Sequence, residues 1–96
     1  MRHVIIFQDN PDIDPAVRSR YMPAHLSFLE RNAARILAAG PLSGDAMAGG
    51  LWIVEAETRA EVEDLVREDP FWATGLRASW QLFIWRRVFE AGQRLI

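Results

Sequence analysis

Residues 78–89, Ala-Ser-Trp-Gln-Leu-Phe-Ile-Trp-Arg-Arg-Val-Phe, read as the longest and most apolar strand, and their alternation constrains the fold more than any other feature. Trp80, Leu82 and Ile84 point to one side of an extended chain; Phe83 and Trp85, with Ser79 and Gln81, point to the other. The pattern recurs at Leu51 and Ile53 against Trp52 and Val54, and at Ile5 and Phe7 against Val4 and Ile6. A sheet made of such strands needs cover on both faces. Helices take one; an open second face would be unusual for a soluble monomer. A partner is the simplest cover, and a homodimer through the sheet face its simplest version. The alternative is shielding by long side chains and the C-terminal tail.

The remaining elements follow from local chemistry. Residues 2–8 read as a strand, closed by the turn cluster Asp9-Asn10-Pro11-Asp12. Asp14-Pro15 is a helix start, with Asp as N-cap and Pro in the first turn. Pro23 then suggests a break: a short turn around 15–20 and a main helix from Pro23 to about Ala38, with Leu26, Leu29, Ala33, Ile36 and Leu37 on one face. Gly40-Pro41 would end it. Residues 41–50 suggest a short edge strand with a glycine-rich turn, and Leu51–Ala56 a firmer strand. Thr58-Arg-Ala-Glu61 is a capping box opening a second helix that buries Val62, Leu65 and Val66. Asp69-Pro70 stops that helix, and 71–76 reads as a turn. The order strand, helix, strand, strand, helix, strand predicts an α+β fold of the ferredoxin-like βαββαβ type. Its antiparallel four-stranded sheet would carry both helices on one face. At 96 residues this is expected to be one domain over 1–96.

Composition removes several chemistries. The chain has no cysteine, and all 11 of its basic residues are arginine. Thiolate zinc sites, cysteine nucleophiles, Schiff-base lysines and P-loop lysines are therefore excluded. A metal site would have to start from His3 and His25 without the spacing of a zinc helix, so no metal is expected. The net charge of −2 argues against nucleic acid as partner. The apolar run Val4–Phe7 is too short for a signal peptide or a membrane span, so a cytoplasmic protein without membrane contact is the expectation.

Two residues stand out for chemistry. His25 borders the apolar stripe near the start of the expected main helix, a half-desolvated place that suits acid–base work; plain packing is the bland reading. Asp69 falls on the same face as Val62, Leu65 and Val66, where a carboxylate is costly unless paired. A histidine would serve as partner, and Asp69 could equally cap a new turn at Pro70; the roles are compatible. Other features have simpler uses. Gly40-Pro-Leu-Ser43-Gly44 lacks the spacing of a nucleophile elbow, and the glycines at 40, 44, 49 and 50 make no phosphate-binding loop. Arg31 and Arg35 suit a helix C-terminus. His3 reads as structural; Tyr21 suits packing or a hydrogen bond to a ligand, and Trp52, Trp72, Trp80 and Trp85 suit the core or an interface, or an aromatic ligand pocket.

The combination of Pro23-Ala24-His25-Leu26, Ala39-Gly40-Pro41, the Gly-Gly pair before the apolar strand at 49–54, and Asp69-Pro70-Phe71 ahead of Gly75-Leu76 resembles the YciI-like family over nearly the whole chain. The resemblance implies a dimeric α/β-barrel form of the ferredoxin-like fold, shared more broadly with muconolactone isomerase. It also implies an active site built on a histidine–aspartate dyad, here His25 and Asp69. One characterised relative acts as a dehydrochlorinase on a chlorinated hydroxyquinol. The Asp9–Arg20 segment and the tryptophan-rich last strand depart from the family pattern, so its substrate does not transfer.

Two functions are compatible with these residues. One is a cofactor-independent enzyme in which the dyad moves a proton on a small cyclic or aromatic hydroxylated substrate, in a lyase or isomerase step. The other is a non-catalytic dimer that binds a small ligand, or acts as an accessory protein, in the same cavity.

Overall fold

The computed structural model describes residues 1–45 and 48–96. The chain runs β1 (Arg2–Asp9), α1 (Ala16–Arg31), β2 (Ile36–Ser43), β3 (Ala48–Glu55), α2 (Arg59–Glu68), α3 (Pro70–Ala73), β4 (Arg77–Ile84) and a small hairpin, β5 (Phe89–Glu90) with β6 (Gln93–Arg94). The main sheet has four strands in the order β2-β3-β1-β4, every neighbouring pair antiparallel. This is the ferredoxin-like arrangement. No helix among the described residues is long and apolar enough to cross a membrane. The Ala46-Met47 part of the expected glycine-rich turn lies outside the described residues.

Alternation decides which sheet face is buried. Ile5, Phe7, Trp52 and Val54 meet Phe28 of α1 and Val62, Leu65 and Val66 of α2 in one core, with Trp80 and Leu82 packed against it. Val4, Ile6, Leu51, Ile53 and Phe83 line the opposite face, together with Ile84 and Trp85. Phe83, Ile84 and Trp85 are exposed there. Ile84, which alternation puts on the same side as Trp80 and Leu82, is therefore open at the strand's end.

Several boundaries differ from the sequence expectation: Gly40-Pro41 lie within β2 rather than ending a helix, β3 starts at Ala48 rather than Leu51, and α3 forms where 71–76 read as a turn. The long helix is 16–31, not 23–38. Pro23 lies inside it; the N–H it lacks would have bonded the carbonyl of Ser19, an exposed residue. Asn32 closes the helix, its Nδ2 donating to the Phe28 carbonyl at 2.9 Å. Ile36 and Leu37 consequently belong to β2, and the five-residue helical stripe does not exist. Asp14 still acts at the start, its Oδ1 accepting from the Ala16 N–H at 2.9 Å. The last strand ends at Ile84 rather than 89 because β1 begins at Arg2. The Trp85 N–H donates to the Arg2 carbonyl at 2.9 Å, beyond which the ladder has no partner strand.

The second helix starts as expected: Thr58 Oγ1 accepts from the Glu61 N–H at 3.3 Å. Glu61 reaches back to the Glu57 N–H rather than that of Thr58. After α3, Gly75 takes φ 79° to turn the chain into β4. An L side chain at such a φ costs about 1–2 kcal/mol. Gly75→Ala is therefore expected to lower unfolding free energy by about that amount in urea titrations. Gly40→Ala, in β2 with open space around it, should change it by less than about 1 kcal/mol.

Candidate active site

The site forms where α1, α3 and the start of β4 converge over β3. His25, in the second half of α1 rather than at its start, is buried with 7% exposure. Its ring stacks on Phe71 of α3, centroids 4.1 Å apart and planes 13° from parallel. Its Nδ1 lies 2.8 Å from Asp69 Oδ1.

Asp69 links α2 to α3 and is 1% exposed. Pro70 forbids the α conformation before it, and Asp69 adopts φ −69°, ψ 126°. That backbone turns its carboxylate over the new helix, where Oδ1 also accepts from the Phe71 N–H at 3.0 Å. The capping and the pairing thus use the same oxygen. With an ionised Asp69 as acceptor, Nδ1 carries the ring proton and Nε2 keeps its lone pair.

The other carboxylate oxygen faces a residue for which the sequence offers no signal. Arg77 Nε lies 3.8 Å from Asp69 Oδ2, an ion-pair distance without a hydrogen bond. Arg77 is 7% exposed. Its guanidinium lies over the Phe7 ring, 3.8 Å from the centroid. Simple alternation would place an odd-numbered β4 residue away from the core. A bulge shifts the register so that Gln8 pairs with Ser79 but Asp9 with Arg77, and Arg77 turns inward. Gly50 makes room for it: a Cβ there would sit 2.7 Å from Arg77 Nη1. Burial lowers the Arg77 pKa from its ordinary value; Asp69, then Asp9, oppose that shift and Arg18 adds to it. Arg77 remains a cation near neutral pH.

These groups border a cavity of about 250 Å³ between α1 and the β2–β3 edge. His25, Arg77, Trp52 and Phe71 line it, and Gly40, Gly49 and Gly50 bring bare backbone to its wall. Arg18 closes one side, paired with Asp9 and lying over Phe71. A wider depression of about 690 Å³ over Asp9–Pro15 shares Arg18 but has no histidine in its lining. Of the two, the smaller cavity is the one that His25 lines. Among the described residues no cluster of three His, Cys, Asp or Glu side chains could hold a metal.

The other sequence candidates lie elsewhere. His3 is buried in β1, Ser43 and Tyr21 are exposed, and Arg35 lies beyond the helix it was expected to end. Trp52 serves both core and cavity, and Trp85 lies on the open sheet face.

Comparison with known proteins agrees with this fold. The model of the YCII-related domain matches residues 1–86. No curated protein matches the chain. Among solved structures, it is similar to 5-chloro-2-hydroxyhydroquinone dehydrochlorinase (TftG) from Burkholderia phenoliruptrix AC1100, determined in complex with 2,5-dihydroxybenzoquinone. The two share 34% identity with a TM-score of 0.78, over 90% of this chain and 94% of the other. At3g17210 from Arabidopsis thaliana shares the fold, with 10% identity, a TM-score of 0.51 and coverage of 94% and 97%. With a family model spanning residues 1–86 and a structural relative 34% identical over 90% of its length, the chain belongs to the YCII-related domain family.

Proposed function

We propose that the protein is a cofactor-independent enzyme that moves a proton on a small hydroxylated cyclic or aromatic substrate, with His25 as base and Asp69 as its orienting partner. The observation that carries this reading is that His25, which lines a cavity, holds its Nδ1 2.8 Å from the buried carboxylate of Asp69. That contact leaves Nε2 as the ring nitrogen able to accept a proton, and the carboxylate stabilises the imidazolium that results. The aromatic and glycine walls suit a flat ring: a cavity of about 150 Å³ already holds benzene. Similarity to a dehydrochlorinase of a hydroxyquinol favours elimination among the possible steps. There, from a keto tautomer of the ring that carries the chlorine on an sp3 carbon, an O–H or C–H proton passes to Nε2, its electron pair becomes a new π bond, and chloride leaves with the C–Cl pair.

A screen of chlorinated and chlorine-free hydroxyquinols, following chloride release and ring absorbance, tests the reading. His25→Ala is expected to lower kcat by about 10²–10⁴-fold. Asp69→Asn should lower it while the amide oxygen still caps Phe71. Folded variants with unchanged turnover contradict the mechanism. Saturable binding of these rings without turnover favours the second reading, a non-catalytic ligand-binding dimer.

We also propose that the Val4, Ile6, Leu51, Ile53 and Phe83 face is covered by a second copy of the chain, as an uncovered apolar sheet face would otherwise require another shield. The wild type is expected to sediment as a dimer at micromolar concentration. Phe83→Glu, at a residue exposed in the single chain, should give monomers with an intact core. A monomeric wild type contradicts this.

A further inference from the structure

The buried arginine has a use that the acid–base reading leaves unassigned. Arg77 Nε and Nη1 are sealed from solvent without a hydrogen-bond partner among the described residues, although Asp69 Oδ2 lies 3.8 Å away, likewise unpartnered. Leaving charged donors unmade in a closed site is costly, and a structural arginine is normally hydrogen-bonded at its fork. Here the guanidinium lies over the Phe7 ring, and both of its terminal nitrogens end against Gly50, at the wall of the His25 cavity. Replacing Gly50 by any other residue would fill the space of the guanidinium tip.

Charge gives the ligand's chemistry. Asp9 with Arg18 and Asp69 with Arg77 are two neutral pairs, so with a neutral His25 these groups carry no net charge. Moving a proton from a ligand to His25 creates one anion and one imidazolium inside the cavity. Arg18 and Arg77 are the other cations on the cavity wall. Arg18 is hydrogen-bonded to Asp9, whereas Arg77 has only the 3.8 Å approach to Asp69, and its planar donors match a planar oxygen anion.

We propose that Arg77 is the oxyanion-binding group of this cavity, and that its ligand is a hydroxylated ring held as the phenolate or enolate. The formation of that anion in the site rests on the reading of His25 as base; the preference for the anion does not.

Binding of 4-nitrophenolate and of its uncharged methyl ether, 4-nitroanisole, to the full chain at about pH 9, where the phenol is ionised and imidazole neutral, tests the assignment by calorimetry. The wild type is expected to prefer the phenolate by at least about tenfold. Arg77→Gln should cut the preference to less than about threefold, while His25→Ala keeps it. Gly50→Ala keeps the charge but displaces the guanidinium tip, and should also weaken the preference; it decides the matter if Arg77→Gln does not fold. Equal binding, or none, by the wild type overturns the proposal. So does a folded Arg77→Gln that keeps the preference, or a preference lost only with His25. Unchanged turnover in His25→Ala beside an Arg77-dependent preference strikes the proton-transfer reading alone.

Discussion

The buried carboxylate of Asp69 is the interaction on which the site's geometry depends. Removing a carboxylate from water costs several kcal/mol unless charge and hydrogen bonds replace the lost solvent. Three elements supply that replacement: α3 through the Phe71 N–H, α1 through His25, and β4 through Arg77. Each is fixed in return. α3 gains its N-terminal cap, the imidazole gains an orientation, and the guanidinium gains a counter-charge that keeps it in the core. A buried pair of this kind is a poor stabiliser compared with apolar residues of similar volume. Both partners of the Asp69 carboxylate, His25 and Arg77, line the cavity.

The sheet divides the molecule's tasks between its faces. The helix side buries the apolar residues and, at the β2–β3 edge, gives way to glycine and a cavity. The far side stays apolar with no cover from the chain's own helices. Strand alternation alone generates both outcomes, since Trp52 reaches the cavity floor while its neighbours Leu51 and Ile53 line the open face.

Much of this was legible in the residues. Strand alternation distinguished the two faces of β1 and β3, and Thr58 and Asp69-Pro70 marked the limits of α2, because each signal is local. The α1 boundaries were not legible: Pro23 reads as a helix start, yet an exposed Ser19 carbonyl lets the helix run through it. Ile36 and Leu37 fit a helical period but pair as strand, a tertiary choice. At the site, the apolar spacing around Asp69 singled out a carboxylate in need of a partner, and the family resemblance paired it with His25. Neither gives the shared use of Oδ1, which depends on the angle between α1 and α3. Arg77 was invisible because a bulge, not alternation, turns it inward. Gly50, paired within β3, leaves the space that the Arg77 guanidinium occupies, but a glycine in a strand does not by itself point to an arginine.

The proposed proton transfer requires Asp69 to hold the proton on Nδ1 of His25, so that Nε2 is free to accept one. Long-range nitrogen–proton NMR correlations of the histidine rings, at a pH where the imidazole is neutral, read which nitrogen carries the proton. The expected result is an Nδ1–H tautomer for His25 in the wild type and a mixture of tautomers in Asp69→Ala. An Nε2–H tautomer in the wild type, or one indifferent to Asp69, contradicts the account.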